Sequence, residues 1–517
     1  MTFEIVFVLL SLLGMVAALV ADKMRPGMIL FSVVVLFLCA GILTPKEMLE
    51  GFSNKGMITV ALLFLVSEGI RQSGTLGQVI KKLLPQGKTT VFKAQLRILP
   101  SVAFISAFLN NTPVVVIFAP IIKHWAKSVN LPATKFLIPL SYVTILGGIC
   151  TLIGTSTNLV VHGMILEAGF EGFSMFELGK VGIFIAIAGI IYIFLFSKRL
   201  LPDARPDTAV PDEEVEEGEK LHRVEAVLGA RFPGINKKLK DFNFQRHYGA
   251  EVKEIKTRNG QRFVSNLEDV VLHEGDTLVV MADDTFIPTW GESSVFVLLT
   301  NGNEPDTTGK KKRWFALLLL VLMIVGATVG ELPVTKEMFP DIKLDMFFFV
   351  SITTIIMAWT NLFPARKYTK YISWDILITI ACAFAISKAM VNSGVADSVA
   401  KFIIGLSDDY GPHVLLAMVF IITNLFTELI TNNAAAALAF PLALSISAQL
   451  GVSPTPFFVV ICMAASASFS TPIGYQTNLI VQGIGNYKFT DFVRIGLPLN
   501  IITFLISIIL VPLIWNF

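Results

Sequence analysis

Long apolar runs bounded by short polar loops recur along the whole chain. In the first half they fall near residues 3–21, 27–43, 57–72, 98–122, 131–166 and 180–197. In the second half they fall near 314–330, 344–362, 372–391, 412–449, 455–484 and 493–516. A hydrocarbon layer of roughly 30 Å needs about 20 apolar helical residues, so these runs predict membrane helices. Two pairs of runs carry polar residues at mid-length. Asn pairs interrupt 98–122 and 412–449, which suits re-entrant helical hairpins. Gly, Thr, Ser or Pro breaks 131–166 and 455–484, which suits discontinuous helices. Irregular backbone at membrane depth is tolerated only where it is buried in protein or lines a cavity.

These interruptions occur twice. Residues 108–122 read FLNNTPVVVIFAPII and residues 429–443 read LITNNAAAALAFPLA. A second pair follows, GTSTNLVVHG at 154–163 and GYQTNLIVQG at 474–483. Gly154 to Gly474 is a step of 320, Asn111 to Asn433 a step of 322, and SEGIRQSG at 67–74 matches SKAMVNSG at 387–394. The pattern predicts a polytopic α-helical membrane protein with two inverted repeats, residues 1–200 and 314–517. Each repeat would hold five spans and a re-entrant hairpin. Duplicated polar breaks of this kind mark secondary transporters whose site lies where the breaks meet.

Between the halves the composition changes. Residues 201–220 read as an acidic linker, a solvated tether. Residues 221–300 alternate short β-like runs with turn signals at Pro233-Gly234, Asn259-Gly260 and Glu274-Gly275, and so predict a small α+β domain. Residues 301–313 form a second linker. Basic clusters at Lys23/Arg25, Lys81–Arg97, Lys198/Arg199, Lys310–Arg313 and Arg366–Lys370 belong inside under the positive-inside rule. That places both termini outside, the domain in the cytoplasm, and the two halves in opposite orientation across a plasma or inner membrane. The first run lacks a basic n-region and reads as a membrane helix, with no cleavable signal expected.

Composition agrees. The 517 residues are 54% hydrophobic and 15% charged, against about a quarter charged for a soluble domain. Mean hydropathy is +0.70. A net charge of +2 gives no reason to expect nucleic acid. Cys39, Cys150, Cys382 and Cys462 stand singly in apolar runs, as small core residues do. No nucleophile–base or metal constellation appears, so no enzyme is expected.

The polar stretches offer Asn amides, Thr and Ser hydroxyls and helix N-termini with almost no fixed charge. Such neutral donors hold an anion without the cost of a buried charge, about 2.5–3.5 kcal/mol at mid-membrane. With these residues the chain resembles the divalent anion:sodium symporter family of the ion-transporter superfamily, over roughly 1–200 and 314–517. That family carries a Ser-Asn-Thr signature at each hairpin tip and a Thr/Pro/Asn-rich break in the following helix. The resemblance implies sodium-coupled symport of a small dianion, by an elevator motion within a homodimer. It also implies that signature and break-loop residues hold the anion and two sodium ions. Asn110-Asn111-Thr112 would be the first signature and Asn432-Asn433-Ala434 the second; Gly154–Asn158 and Ser470–Asn478 would be the break loops. The substrate-binding candidates are therefore Asn111, Thr112, Ser156, Thr157, Asn433, Thr477 and Asn478. The sodium candidates are Ser106, Asn110, Asn111, Gly154, Glu428, Thr431, Asn432, Asn433, Ser470 and Gly474.

Two departures bear on the substrate. Ala434, read in the position of the second Thr, removes one hydroxyl donor, and Gly-Tyr-Gln-Thr-Asn at 474–478 resembles sulfate-type members. Sulfate is thus favoured over a dicarboxylate. Glu428, read opposite Ser106, could ligate sodium or take up a proton; the second case would make a cation/proton antiporter. Glu68 and Lys388, at matching positions, are a candidate pair. The middle domain, through PGINKKLKDFNFQRHYGAEVKEI and LHEGDTLVVMADD, resembles the C-terminal domain of potassium-conductance regulators (TrkA-C type). That implies a candidate small nucleotide-like ligand on 221–300, and leaves a ligand-gated channel as a further alternative, although no TVGYG filter is present.

Overall fold

The computed structural model describes residues 3–21, 24–203, 222–229, 232–257, 261–283, 286–290, 295–300, 309–339, 341–405 and 411–517. Residues 204–220 of the acidic linker, 301–308 of the second linker and the Asn259-Gly260 turn lie outside the described residues, and the second linker is shorter than expected, since Lys310–Arg313 already form the first turn of a helix.

Among the described residues, eight helices are long and apolar enough to cross a membrane, and four shorter apolar helices accompany them. The first half runs α1 (Phe3–Ala21), α2 (Pro26–Cys39), α3 (Lys55–Gln72), α4 (Thr75–Leu83), α5 (Val91–Ser106), α6 (Asn111–Ser128), α7 (Leu137–Gly148), α8 (Ser156–Glu167) and α9 (Gly179–Leu200). The second runs α10 (Lys310–Gly330), α11 (Met346–Trp359), α12 (Trp374–Asn392), α13 (Val395–Gly405), α14 (Gly411–Leu429), α15 (Asn432–Leu450), α16 (Thr455–Ser466), α17 (Gln476–Gly485) and α18 (Phe489–Ile514). Helix starts recur at one spacing: Pro26 and Met346, Thr75 and Val395, Val91 and Gly411, Ser156 and Gln476 are each 320 apart.

Side chains divide these helices into an inner and an outer set. All twelve residues of α7 are buried, as is nearly all of α15 and α16. By contrast, α18 exposes Leu497, Ile501, Leu505, Ile509 and Leu513, one every four residues, and buries Ile495, Leu499 and Val511 opposite. A straight apolar stripe facing outward has no favourable contact with water, and lipid is its natural solvent. Glu68 bonds Arg71 at 2.7 Å and Gln72 at 2.6 Å within α3, so its expected partner Lys388 is replaced by a local one.

The inserted segment forms an antiparallel sheet ordered β3-β2-β4-β1-β5. Its strands are β1 (His222–Leu228), β2 (Glu251–Lys256), β3 (Arg262–Phe263), β4 (Thr277–Ala282) and β5 (Phe296–Thr300). Phe232, Phe242, Phe244, Tyr248, Ile255, Leu278 and Phe296 build its own core. The sheet also rests on the helices that carry the polar breaks. Lys123 of α6 bonds both oxygens of Glu225 in β1 at 3.0 Å, Val227 joins the apolar core of the helices, and Leu479 of α17 lies against Gly275.

Burial works to raise the Glu225 pKa, but the adjacent Lys123 and Lys256 ammonium groups outweigh it and hold the value at about 2. A carboxyl depressed below its ordinary 4.5 stabilises the fold above that pH, and this stabilisation is lost as pH falls toward 2. Glu225→Gln should therefore lower the unfolding midpoint at pH 7, by an amount equivalent to about 3 kcal/mol, because the buried carboxylate charge facing Lys123 and Lys256 is lost. The gap between variant and wild type should close as pH drops below about 3. A pH-independent gap would show that packing, not the ion pair, carries the contact.

Candidate functional site

Each Asn pair opens a helix. Asn110 is the residue before α6 and Thr431 the residue before α15, so Asn111 and Asn432 occupy the same first helical position. Their hydrogen bonds agree. Ser106 Oγ donates to Asn111 Oδ1 at 2.7 Å, and Thr427 Oγ1 donates to Asn432 Oδ1 at 2.9 Å. The step between the two tips is thus 321, not 322. Three expectations change with it. The second tip reads Thr431-Asn432-Asn433; the counterpart of Thr112 is Asn433 rather than Ala434, so an amide stands where a hydroxyl was thought missing. The counterpart of Ser106 is Thr427, and that of Glu428 is Ala107.

The breaks after α7 and α16 are held by one repeated device. Asn158 Nδ2 donates to the carbonyl of Thr151 at 2.9 Å and reaches that of Gly148 at 3.5 Å. Asn478 Nδ2 donates to those of Thr471 at 3.1 Å and Ser468 at 2.8 Å. Gly154 N–H donates to Thr151 Oγ1, and Gly474 N–H to Thr471 Oγ1. These bonds supply carbonyls that the broken helix leaves without partners. Neither glycine tolerates a Cβ: one at Gly154 would lie 2.5 Å from the Gly148 oxygen, one at Gly474 2.1 Å from Ser468 Oγ.

Tips and breaks then meet crosswise. Thr112 Oγ1 donates to Gln476 Oε1 at 3.2 Å. In the mirrored position Ser156 and Thr157 hydroxyls donate to Asn433 Oδ1 at 3.4 and 3.1 Å. At the centre a residue faces its own counterpart: Thr155 Oγ1 and Tyr475 Oη are 3.1 Å apart. Asn111 Nδ2 donates to the same Tyr475 oxygen at 2.5 Å.

The expected substrate residues Asn111, Thr112, Ser156, Thr157 and Asn433 are therefore brought together. Thr477 Oγ1 and Asn478 Oδ1 instead face Ser141 Oγ of α7, at 2.8 and 2.7 Å, and Asn478 also pins its own loop. Of the sodium candidates, Ser106, Asn110, Asn111 and Gly154 group at the first tip. Thr431, Asn432, Asn433 and Gly474 group at the second. Thr431 Oγ1 and Asn158 Oδ1 are buried acceptors with no hydrogen-bond partner, and such lone pairs suit a hard cation bound by neutral oxygens. Glu428 Oε1 accepts from Ser470 N–H at 2.9 Å and Asn500 Nδ2 at 2.7 Å. A cavity of about 10 Å³, enough for roughly one water, lies beside Asn110, Ser156 and Ser67.

Sequence reasoning missed Ser141, Thr427, Tyr475 and Asn500 as members of this network. Ser141 was legible as one of three hydroxyl residues on α7, with Tyr142 and Thr144, and Asn500 as the single amide in α18.

A family profile described as "Citrate transporter" matches residues 16–451 and 342–517. An uncharacterized transporter of Synechocystis is 30% identical, covering 94% of this chain and 93% of its own. A probable sodium/sulfate cotransporter of Chlamydomonas reinhardtii is 23% identical over 93% of this chain and 85% of its own. Among solved structures, the YdaH transporter of Alcanivorax borkumensis superposes with a TM-score of 0.52 at 12% identity, over 90% of this chain and 87% of that one. This last likeness is one of fold.

Proposed function

The chain belongs to the citrate transporter family, and from that premise we propose that it imports a small divalent anion, sulfate foremost, together with sodium. The observation that carries this reading is the crossed pairing of the two tips with the two breaks, centred on Thr155 and Tyr475. Four polar stretches from the two halves converge there, and they carry donors rather than fixed charge. A relative named as a probable sodium/sulfate cotransporter supports the ion and the anion.

In this reading the anion sits between the tips, held by the Asn111 and Asn433 amides and the Thr112, Ser156 and Thr157 hydroxyls. Two sodium ions lie behind it, one at each tip, and supply the positive charge that neutral donors lack. The repeats are inverted, so that the tips approach the site from opposite faces. The unit bearing the tips moves as an elevator against a scaffold within a homodimer in the cell membrane. The sheet domain then faces the cytoplasm and rides with α6 and α17, and a small cytosolic ligand on it would act on the moving unit.

The test is uptake of labelled sulfate by proteoliposomes, with and without an inward sodium gradient. Sodium-dependent sulfate uptake is the expected result. Succinate uptake with the same dependence would keep the mechanism and change the substrate. If neither anion moves with sodium, the symport reading is wrong.

A further inference from the structure

Beside the first hairpin, α3, α4, α5 and α10 surround an apolar cleft of about 310 Å³. Its floor is made by the buried side chains of Ile70, Leu76 and Leu109. Its mouth is set between Phe104, which is 70% exposed, and the half-exposed Val321 and Val325. Among the described residues that line it Thr75 alone is polar, and its Oγ1 lies 2.6 Å from Ser73 Oγ. The mouth lies on an outward stripe of α10 where Leu318, Leu322 and Val329 are also exposed. Apolar cavities of about half this size already stay dry and take up hydrocarbon.

Hydrophobic transfer alone would not draw a chain out of the bilayer, because lipid tails are as apolar as the cleft. Filling the void gains dispersion contacts, and selection among lipids falls to the headgroup. On α10 the lining face carries Leu317, Val321 and Ile324. Followed back toward the start of the helix, the same face reaches Trp314 and then Lys310. Trp314 is 72% exposed, as an interfacial anchor is, and Lys310, Lys311 and Lys312 stand exposed just beyond it. On α4, Leu76 and Val79 line the cleft and the exposed Lys82 follows one turn later. Arg97 Nη2 of α5 donates to the Lys82 carbonyl at 2.9 Å and ties the two walls together. Clustered cations at the end of a membrane helix attract anionic headgroups.

The second half is built differently. Its helices α13 and α14 start 320 positions after α4 and α5. With α1 they close into one packed cluster that includes Val8, Met15, Val395, Ala396 and Ile430. The cleft of the first half also reaches the tip. Phe108, Leu109 and Leu320 wall both the cleft and the small cavity beside Asn110. An occupant of the cleft therefore bears on the residues that lead into the first tip.

We propose that this cleft binds an anionic phospholipid. One acyl chain lies between α4, α5 and α10, and the phosphate rests on Lys310–Lys312. The bound lipid braces the first hairpin against α10, so that lipid binding and any movement of that hairpin are coupled. The binding does not depend on which anion or cation is carried.

The test uses the full chain in detergent, without anion. Unfolding midpoints are titrated with dioleoyl phosphatidylglycerol and with dioleoyl phosphatidylcholine, which has the same tails and no net charge. Phosphatidylglycerol should raise the midpoint at the lower concentration, and native mass spectrometry should find it retained by the chain. Replacing all three lysines, Lys310→Gln with Lys311→Gln and Lys312→Gln, should raise its half-saturating concentration by at least about ten-fold. Val321→Trp places an indole in the mouth and should raise it at least as far. Val325→Trp, one turn on, does the same and replaces the first variant if that folds poorly. Equal titrations by the two lipids in wild type, or an unchanged titration in the lysine or the Trp variant, would overturn the proposal. A midpoint that follows protein concentration instead of lipid would assign the cleft to a second copy of the chain and overturn it as well.

Discussion

Asn111→Ala should cut sodium-driven uptake by at least about a hundred-fold while the protein still folds. Asn111 is fully buried, accepts from Ser106 and donates to Tyr475. Truncation leaves two buried hydroxyls without that partner, at about 1–3 kcal/mol each. It also removes an amide from the place where the anion is proposed to sit, so the transport loss should exceed what stability alone predicts. Asn432→Ala is the counterpart, and there the loss should be smaller, because Thr427 Oγ1 retains the Ala465 carbonyl within 2.6 Å. Initial uptake rates and unfolding midpoints measured on the same preparations separate the two effects. Rates that fall only in step with lost folded protein would make Asn111 a structural cap and nothing more.

The unequal fate of the two amides explains what could be read in the sequence and what could not. Apolar runs and their polar breaks were legible because membrane helices depend on local composition. The breaks at 149–155 and 467–475, inside runs read as 131–166 and 455–484, lie between the helices α7–α8 and α16–α17. The tip register was not legible. Asn-Asn occurs in both tips, so letters aligned the wrong amides by one residue; only the bonds from Ser106 and Thr427 fix the pairing. That single step reassigned the counterparts of Ala434 and Glu428. Docking of the sheet on α6 was equally invisible, since Lys123 and Glu225 lie 102 positions apart and each reads as an ordinary surface charge.

Tyr475 turns the corrected register into an argument about substrate size. The reading that favoured sulfate through a hydroxyl missing at Ala434 no longer holds, because Asn433 fills that position. The phenol gives a different reason. Tyr475 is almost fully buried, and its hydroxyl touches both Asn111 and Thr155 where the halves meet. Its counterpart in the first half is only Thr155, so the junction is filled from one side by an aromatic ring. If the anion sits between the tips as proposed, the ring takes up length that a four-carbon dicarboxylate would need and a tetrahedral oxyanion would not. Tyr475→Thr, which makes the junction symmetric, should lower the preference for sulfate over succinate by at least about ten-fold, equivalent to about 1.4 kcal/mol. Tyr475→Phe keeps the ring and removes the hydroxyl, leaving Asn111 Nδ2 without that acceptor. It should slow uptake of both anions by a similar factor and leave their ratio unchanged. Competition between labelled sulfate and unlabelled succinate in proteoliposomes reads this ratio directly. If the Phe variant shifts the ratio as far as the Thr variant does, the hydroxyl rather than the ring sets selectivity, and the size argument falls.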